Sequence, residues 1–134
     1  MNDSTQTEGR DETAQQCCPA PDEAAVERLT RVAKALSDPI RLGMLDVMVQ
    51  GRACCGLPDA AERGVPGAAD PRGICVCEFQ EHFGLGQSKV SYHVRVLKEA
   101  GLVSEETRGK WSFYAVDCVA VASALDAFRS LLRA

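Results

Sequence analysis

Between Ile74 and Val116 the chain carries two short apolar-periodic runs, a Gly84-Leu85-Gly86 break between them, and a strand-rich stretch turning at Gly109. Val76, Phe79 and Phe83 fall at helical spacing in the first run, and Val90, Val94 and Leu97 do so in the second, which spans Gln87 to Ala100. Gly86 serves as N-cap of the second helix and Gly101 stops it. Leu102 to Arg108 and Lys110 to Val116 hold Val, Thr, Trp, Phe and Tyr on either side of Gly109, the pattern of a β-hairpin. Two short helices joined by a glycine turn and followed at once by a hairpin describe a winged helix-turn-helix.

The remainder of the 134 residues supports that core. A first helix is predicted from about Asp22 to Ser37, with Ala25, Leu29, Val32 and Leu36 as its apolar stripe. A second starts at Pro39, capped by Asp38 or Ser37, buries Ile40, Met44, Val47 and Met48, and ends at Gly51. A final helix from about Asp117 to Leu132 aligns Val121, Leu125, Phe128 and Leu132. The expected fold is mostly α with a β-hairpin, in the order α-α-α-α-β-β-α. Residues 1–20 read as a disordered arm and 21–134 as one domain, with 51–73 a Pro- and Gly-rich inserted loop. Apolar residues make up 46% and charged residues 25%, an ordinary globular balance. No apolar run approaches the roughly 20 residues that span a bilayer, and the N-terminal residues are polar and acidic; a cytoplasmic protein without membrane partners is expected.

The net charge of −4 disfavours nucleic acid until its distribution is considered. Residues 1–30 hold seven acids against two bases, whereas residues 84–114 hold Lys89, Arg95, Lys98, Arg108 and Lys110 against Glu99, Glu105 and Glu106. With Val90, Val94 and Leu97 inward, Ser88, Ser91, Tyr92 and Arg95 face outward, and Gln87 and Lys89 add reach near the helix start. His93 lies on the same helix, where DNA contact or packing is expected rather than metal binding. A polar helix face alone is equally a solvated face; Arg108 and Lys110 at the hairpin tip tip the balance toward double-stranded DNA.

Seven cysteines, Cys17, Cys18, Cys54, Cys55, Cys75, Cys77 and Cys118, need a separate account. An odd number in a chain without an export signal argues against a disulfide framework, and the C-x2-C and C-x4-C spacings of zinc ribbons are absent. Two adjacent pairs and one C-x-C point to thiolate ligands. Cys118 aligns with Val121 and Leu125 and reads as core. Cys75 and Cys77 open the first helix of the helix-turn-helix. Residues two apart on a helix point about 200° apart, so one ion reaches both sulfurs only if that helix start unwinds or bends. No Ser/His/acid constellation, phosphate-binding glycine loop or His-carboxylate centre suggests an enzyme.

Over roughly residues 25 to 132 the sequence resembles the ArsR/SmtB family of metal-sensing repressors. The resemblance rests on ALSDPIRLGML at Ala35 to Leu45, ICVCEF at Ile74 to Phe79, LGQSKVSYHVRVLKEAGLV at Leu85 to Val103 and RGKWSFYAV at Arg108 to Val116. It implies a homodimer built on the first and last helices and a pseudo-palindromic operator with half-sites about one helical turn apart. The CVC segment is similar to the family's arsenite site, in which a third cysteine follows three residues after the second; Gln80 stands there in this chain. Cys17 and Cys18 on the arm, or Cys54 and Cys55 on the insertion, are the available further thiolates. A second arsenite-sensing branch pairs adjacent N-terminal cysteines with one after the second helix, and a cadmium- or lead-sensing branch combines N-terminal cysteines with the C-x-C. Three thiolates suit As(III) or Sb(III), and four favour Cd(II), Pb(II) or zinc. The last helix lacks the His that the zinc-sensing branch places there. The resemblance thus implies an operator-releasing repressor induced by arsenite or antimonite. A cadmium/lead sensor or a thiol-redox sensor of the same fold is the alternative.

Overall fold

The structure is a computed structural model that describes residues 22–51 and 73–133. The expected arm and nearly all of the expected insertion, with Cys17, Cys18, Cys54 and Cys55, lie outside the described residues.

Helix α1 (Glu23–Leu36) begins where Asp22 Oδ1 accepts the Ala24 and Ala25 N–H groups at 3.1 and 3.3 Å. Helix α2 (Pro39–Gln50) follows, with Asp38 Oδ1 accepting from Ile40 at 2.8 Å and Arg41 at 3.3 Å, and Pro39 in the first turn, where no N–H partner is needed. Strand β1 (Ile74–Cys75) leads directly into α3 (Val76–Phe83), and Gly84, in the left-handed region at φ 64°, ends α3. Helix α4 (Gln87–Glu99), strands β2 (Val103–Arg108) and β3 (Trp111–Val116), and α5 (Cys118–Leu132) complete the order. Val32, Met44, Ile74, Phe79, Val90, Val94, Leu97, Val103 and Phe113 are buried, so every element except α5 contributes a branched or aromatic side chain or a methionine to the interior. Helix α5 packs on that centre through Ala124, and Arg28 Nη2 on α1 donates to Ser123 Oγ at 3.3 Å.

The expected order lacked β1. Ile74 and Cys75 are extended and pair antiparallel with Tyr114 and Phe113, making a three-stranded sheet in the order β1-β3-β2. Two residues are too few to display a period of two, and their apolar character runs on into the helical spacing of Val76 and Phe79. Gly73 makes the pairing sterically feasible: its φ is +86°, and a Cβ built there would sit 2.9 Å from Phe113 Cβ. A second correction concerns Cys118, which is exposed at the first residue of α5 rather than in the core. It aligns with Val121 and Leu125, but only Val121 packs against the core, while Leu125 is itself 60% exposed.

Candidate nucleic-acid interface and thiol cleft

Helix α4 turns Val90, Val94 and Leu97 inward and leaves Gln87, Ser88, Lys89, Ser91, Tyr92 and Arg95 exposed. Gly86 provides no side-chain cap, so the helix start presents N–H groups and the positive end of its dipole to the surface. Arg95 Cζ lies 5.9 Å from the Tyr92 ring centroid, a cation-π arrangement that pairs a planar cation with an exposed aromatic ring.

His93 departs from any role at the DNA surface. It is 8% exposed, and its Nδ1 lies 3.1 Å from Arg41 Nη1. Arginine only donates, so Nδ1 is the acceptor and the ring carries its proton on Nε2. Arg41, also buried, donates from Nε to Ala35 O at 2.7 Å and from Nη2 to Lys34 O at 3.0 Å. One guanidinium, carried on the first turn of α2, therefore closes the carbonyl end of α1 and holds the middle of α4. The signal for His93 was its place three residues after Val90 and four before Leu97, on the inward stripe. Arg41 was missed although it lies three residues before Met44 on the buried face of α2.

At the wing, Gly109 takes φ 63° at the first central position of a two-residue turn, leaving Lys110 exposed at the tip. Arg108 does not project beside it, contrary to expectation. Its guanidinium lies 4.3 Å from the Phe113 ring centroid and 2.9 Å from Glu106 Oε2, and its side chain is only 14% exposed. Arg108 faces Trp111 across the hairpin, so Phe113 is its diagonal neighbour, within reach of a long stem.

The C-x-C pair sits at the junction of β1 and α3. Cys75 is the N-cap of α3 in extended conformation, at φ −86° and ψ 162°. Its N–H donates to Glu78 Oε1 at 3.1 Å, and the Glu78 N–H points back at its sulfur, a capping box with sulfur in the hydroxyl position. Because Cys75 caps the helix in extended conformation, its sulfur is not held at helical spacing from Cys77, and both cysteines line one cleft. Burial pushes the Cys75 thiol up to about 12. The Cys77 thiol and the Glu78 charge add to this, and the Glu78 N–H pulls the other way. Cys75 is buried and Cys77 half-buried, so one sulfur of the pair is reachable from solvent.

The pair opens into a cleft of about 340 Å³. Cys75, Val76, Cys77 and Gln80 line it from the β1–α3 segment, Lys110, Trp111, Ser112 and Tyr114 from the wing, and Gln87 from the start of α4. Burial raises the Tyr114 phenol to about 12, and Glu105 adds to this by accepting its hydrogen and by its charge. Glu105 in turn lies 3.5 Å from Lys98 Nζ on α4. Among the described residues no three Cys, His, Asp or Glu side chains gather as a metal cluster, so the cleft holds a two-thiol donor set with a carboxamide beside it. Two soft sulfur donors fit a thiophilic ion and not a hard one. No helix among the described residues is long and apolar enough to cross a membrane.

A helix-turn-helix with an exposed polar second helix and an adjoining hairpin defines a winged helix-turn-helix protein. The description "Bacterial regulatory protein, arsR family" matches residues 72–105. An HTH-type transcriptional regulator of Methanocaldococcus jannaschii is 30% identical over 88 residues, covering 66% of this chain and 76% of that protein. The chain belongs to the arsR family of bacterial regulatory proteins. It is also 50% identical over 40 residues to the arsenical resistance operon repressor of Bacillus subtilis, a match that spans 30% of this chain and 38% of that repressor. In fold it is similar to the homodimeric winged helix-turn-helix DNA-binding domain Mb0332 of Mycobacterium bovis, with a TM-score of 0.56 and 21% identity over 87% of this chain and 90% of that one.

Proposed function

We propose that this protein is a homodimeric transcriptional repressor that leaves its operator when Cys75 and Cys77 capture a trivalent metalloid, arsenite or antimonite. The observation that carries the reading is the position of the thiol pair. The two sulfurs share a cleft with Gln87 at the start of α4 and Lys110 at the wing tip, one residue from each element expected to touch DNA. An occupant bonded to the sulfurs alters the spacing of those two elements, and operator affinity follows that spacing. The arsenical-resistance name of the Bacillus subtilis relative supports the choice of inducer.

The DNA surface comprises Gln87, Ser88, Lys89, Ser91, Tyr92 and Arg95 with Lys110, and Arg108 serves to shape the wing. A dimer through α1 and α5 is supported by the large exposed apolar side chains there: Val26, Val119, Leu125, Leu131 and Leu132. Cys17, Cys18, Cys54 and Cys55 are the proposed source of a third thiolate for inorganic arsenite. Anisotropy of labelled operator DNA, titrated with arsenite, antimonite, cadmium, lead and zinc against reduced protein, tests the reading. Release by arsenite and antimonite at lower concentration than by the divalent ions supports it. Release by cadmium or lead alone replaces the inducer, and release only by peroxide replaces metalloid capture with thiol oxidation.

A further inference from the structure

We infer that His93 is a positioning residue of the DNA interface that works only in its neutral form, so that a proton on its ring releases the operator without any thiol ligand. This acid response goes beyond the proposed metalloid response and shares no residue with the thiol cleft. Its ground is the way the recognition helix is held from behind. Ser91, Tyr92 and Arg95 are exposed on α4, while His93 among them is 8% exposed and turned the other way. Its Nδ1 accepts from Arg41 Nη1 at 3.1 Å, and the same guanidinium donates to Ala35 O at 2.7 Å and to Lys34 O at 3.0 Å. One side chain thus ties the middle of α4 to both helices behind it.

An imidazolium does not fit this arrangement. Protonation puts a hydrogen on Nδ1, where the lone pair received Arg41, and sets two cations 3.1 Å apart in a buried setting. Arginine does not lose its charge to relieve the contact, and its two carbonyl bonds keep it in place. The ring must therefore move, and it carries the middle of α4 with it. The neighbouring groups give an imidazolium little relief. From α2, the Asp38 carboxylate lies within electrostatic reach, but its Oδ1 already accepts from the Ile40 and Arg41 N–H groups. Lys34 at the end of α1 adds a further cation, and Tyr92 of α4 itself presents an aromatic ring edge-on at 5.3 Å. The buried carboxylate of α3, Glu78, holds the Cys75 N–H, and Glu105 of β2 pairs with Lys98 further along α4. Operator-bound protein thus carries one proton fewer per protomer than free protein in acid. By linkage, operator affinity falls as pH drops, by at most about two log units per pH unit for a dimer. General electrostatics predicts the reverse, because acid neutralises carboxylates of a chain whose net charge is −4 and strengthens its attraction to phosphate. The sign of the pH dependence separates the two.

The chain has two histidines, and the other, His82 on α3, is exposed, so the two are separable by substitution. The test measures operator affinity by anisotropy from about pH 7.5 to 5.5 at constant salt, with far-ultraviolet circular dichroism on the same samples. It compares wild type, His82→Gln, His93→Asn and Cys75→Ser/Cys77→Ser. Asparagine places an oxygen where Nδ1 lies and takes up no proton in this range. Affinity is expected to fall at least about tenfold across the range in wild type, His82→Gln and Cys75→Ser/Cys77→Ser, with helicity unchanged. In His93→Asn it is expected to stay flat or rise. In His82→Gln the remaining imidazole is also followed by NMR, and its protonation is expected to coincide with operator loss; this readout decides the question should His93→Asn fail to fold. Flat or rising affinity in His82→Gln, an acid loss that survives in a folded His93→Asn, or imidazole protonation out of step with operator loss overturns the inference. So does operator loss that tracks helix melting, which reduces His93 to a structural role. Disappearance of the acid response in Cys75→Ser/Cys77→Ser overturns it as well, because the proton would then act at the thiols.

Discussion

Cys75 and Phe113 are direct cross-strand partners in the β1–β3 ladder, so the inner thiol of the pair is paired through its backbone with the wing. A change at the thiols thus reaches the wing strand across one ladder rung as well as α4 through the helix-turn-helix. This pairing depends on Gly73.

Substituting Gly73→Ala places a methyl 2.9 Å from Phe113 Cβ at a backbone φ of +86°, both unfavourable. The expected cost is about 1–3 kcal/mol in urea unfolding, with weakened operator binding as β1 lifts from β3. Full stability and full DNA affinity in this variant would contradict a wing anchored through β1.

Arg41→Ala removes the guanidinium donor from the Ala35 carbonyl and His93 Nδ1 in a buried setting, while the Lys34 carbonyl keeps the Ser37 N–H and Oγ. A loss of about 2–5 kcal/mol is expected from chemical denaturation. Arg41→Lys should recover little of it, because one ammonium cannot reproduce three donors fixed in a plane. Equal stability of the lysine variant and wild type would show that charge alone matters there.

On the DNA side the two ends of the interface should respond differently. Arg95→Ala is expected to cost about 1–3 kcal/mol on the cognate operator and to relax base preference at one position. Lys110→Ala should weaken all duplexes alike and reduce the slope of log affinity against log salt by about one. His93→Gln should act through stability and leave base preference unchanged, since the ring faces Arg41.

The raised Cys75 thiol gives a pH signature. Its ordinary value is 9.0 and its folded value about 12, so the folded chain keeps a proton that the unfolded chain gives up. That contribution to stability is complete below pH 9 and is lost as pH rises through 12. The urea midpoint should fall across this window and fall less in Cys75→Ser, with the remainder due to Tyr114, whose phenol moves from 10.0 to about 12. Ligand capture differs again: cadmium expels thiol protons and should tighten as pH rises from about 6 to 8, whereas neutral arsenous acid carries them off as water and should not.

The helix-turn-helix and the wing were legible because each is written in long, repeated signals: Val90, Val94 and Leu97 on one side of α4, Gly86 before it, and Gly109 between two strand-forming runs. Asp38 and Pro39 likewise announce the start of α2. What escaped was local geometry with a short signature. β1 has two residues, and reading Cys75 as helical turned its sulfur away from Cys77 when it in fact caps the helix. Arg108 reads as a free tip cation in sequence because nothing there reveals that Phe113 and Glu106 receive it. Cys118 aligns with Val121, which packs on the core, and with Leu125, which is exposed in the single chain, and periodicity alone does not distinguish a core face from its exposed margin.

The central claim is that the thiol pair beside the wing controls operator binding. Its most direct test is fluorescence anisotropy of labelled operator with arsenite titrated into wild type and Cys75→Ser/Cys77→Ser. The account predicts equal DNA affinity without ligand, release of wild type, and retention of operator by the variant at every arsenite concentration that empties the wild type. Arsenite release of the variant at the wild-type concentration would contradict it and place the sensing chemistry elsewhere in the chain.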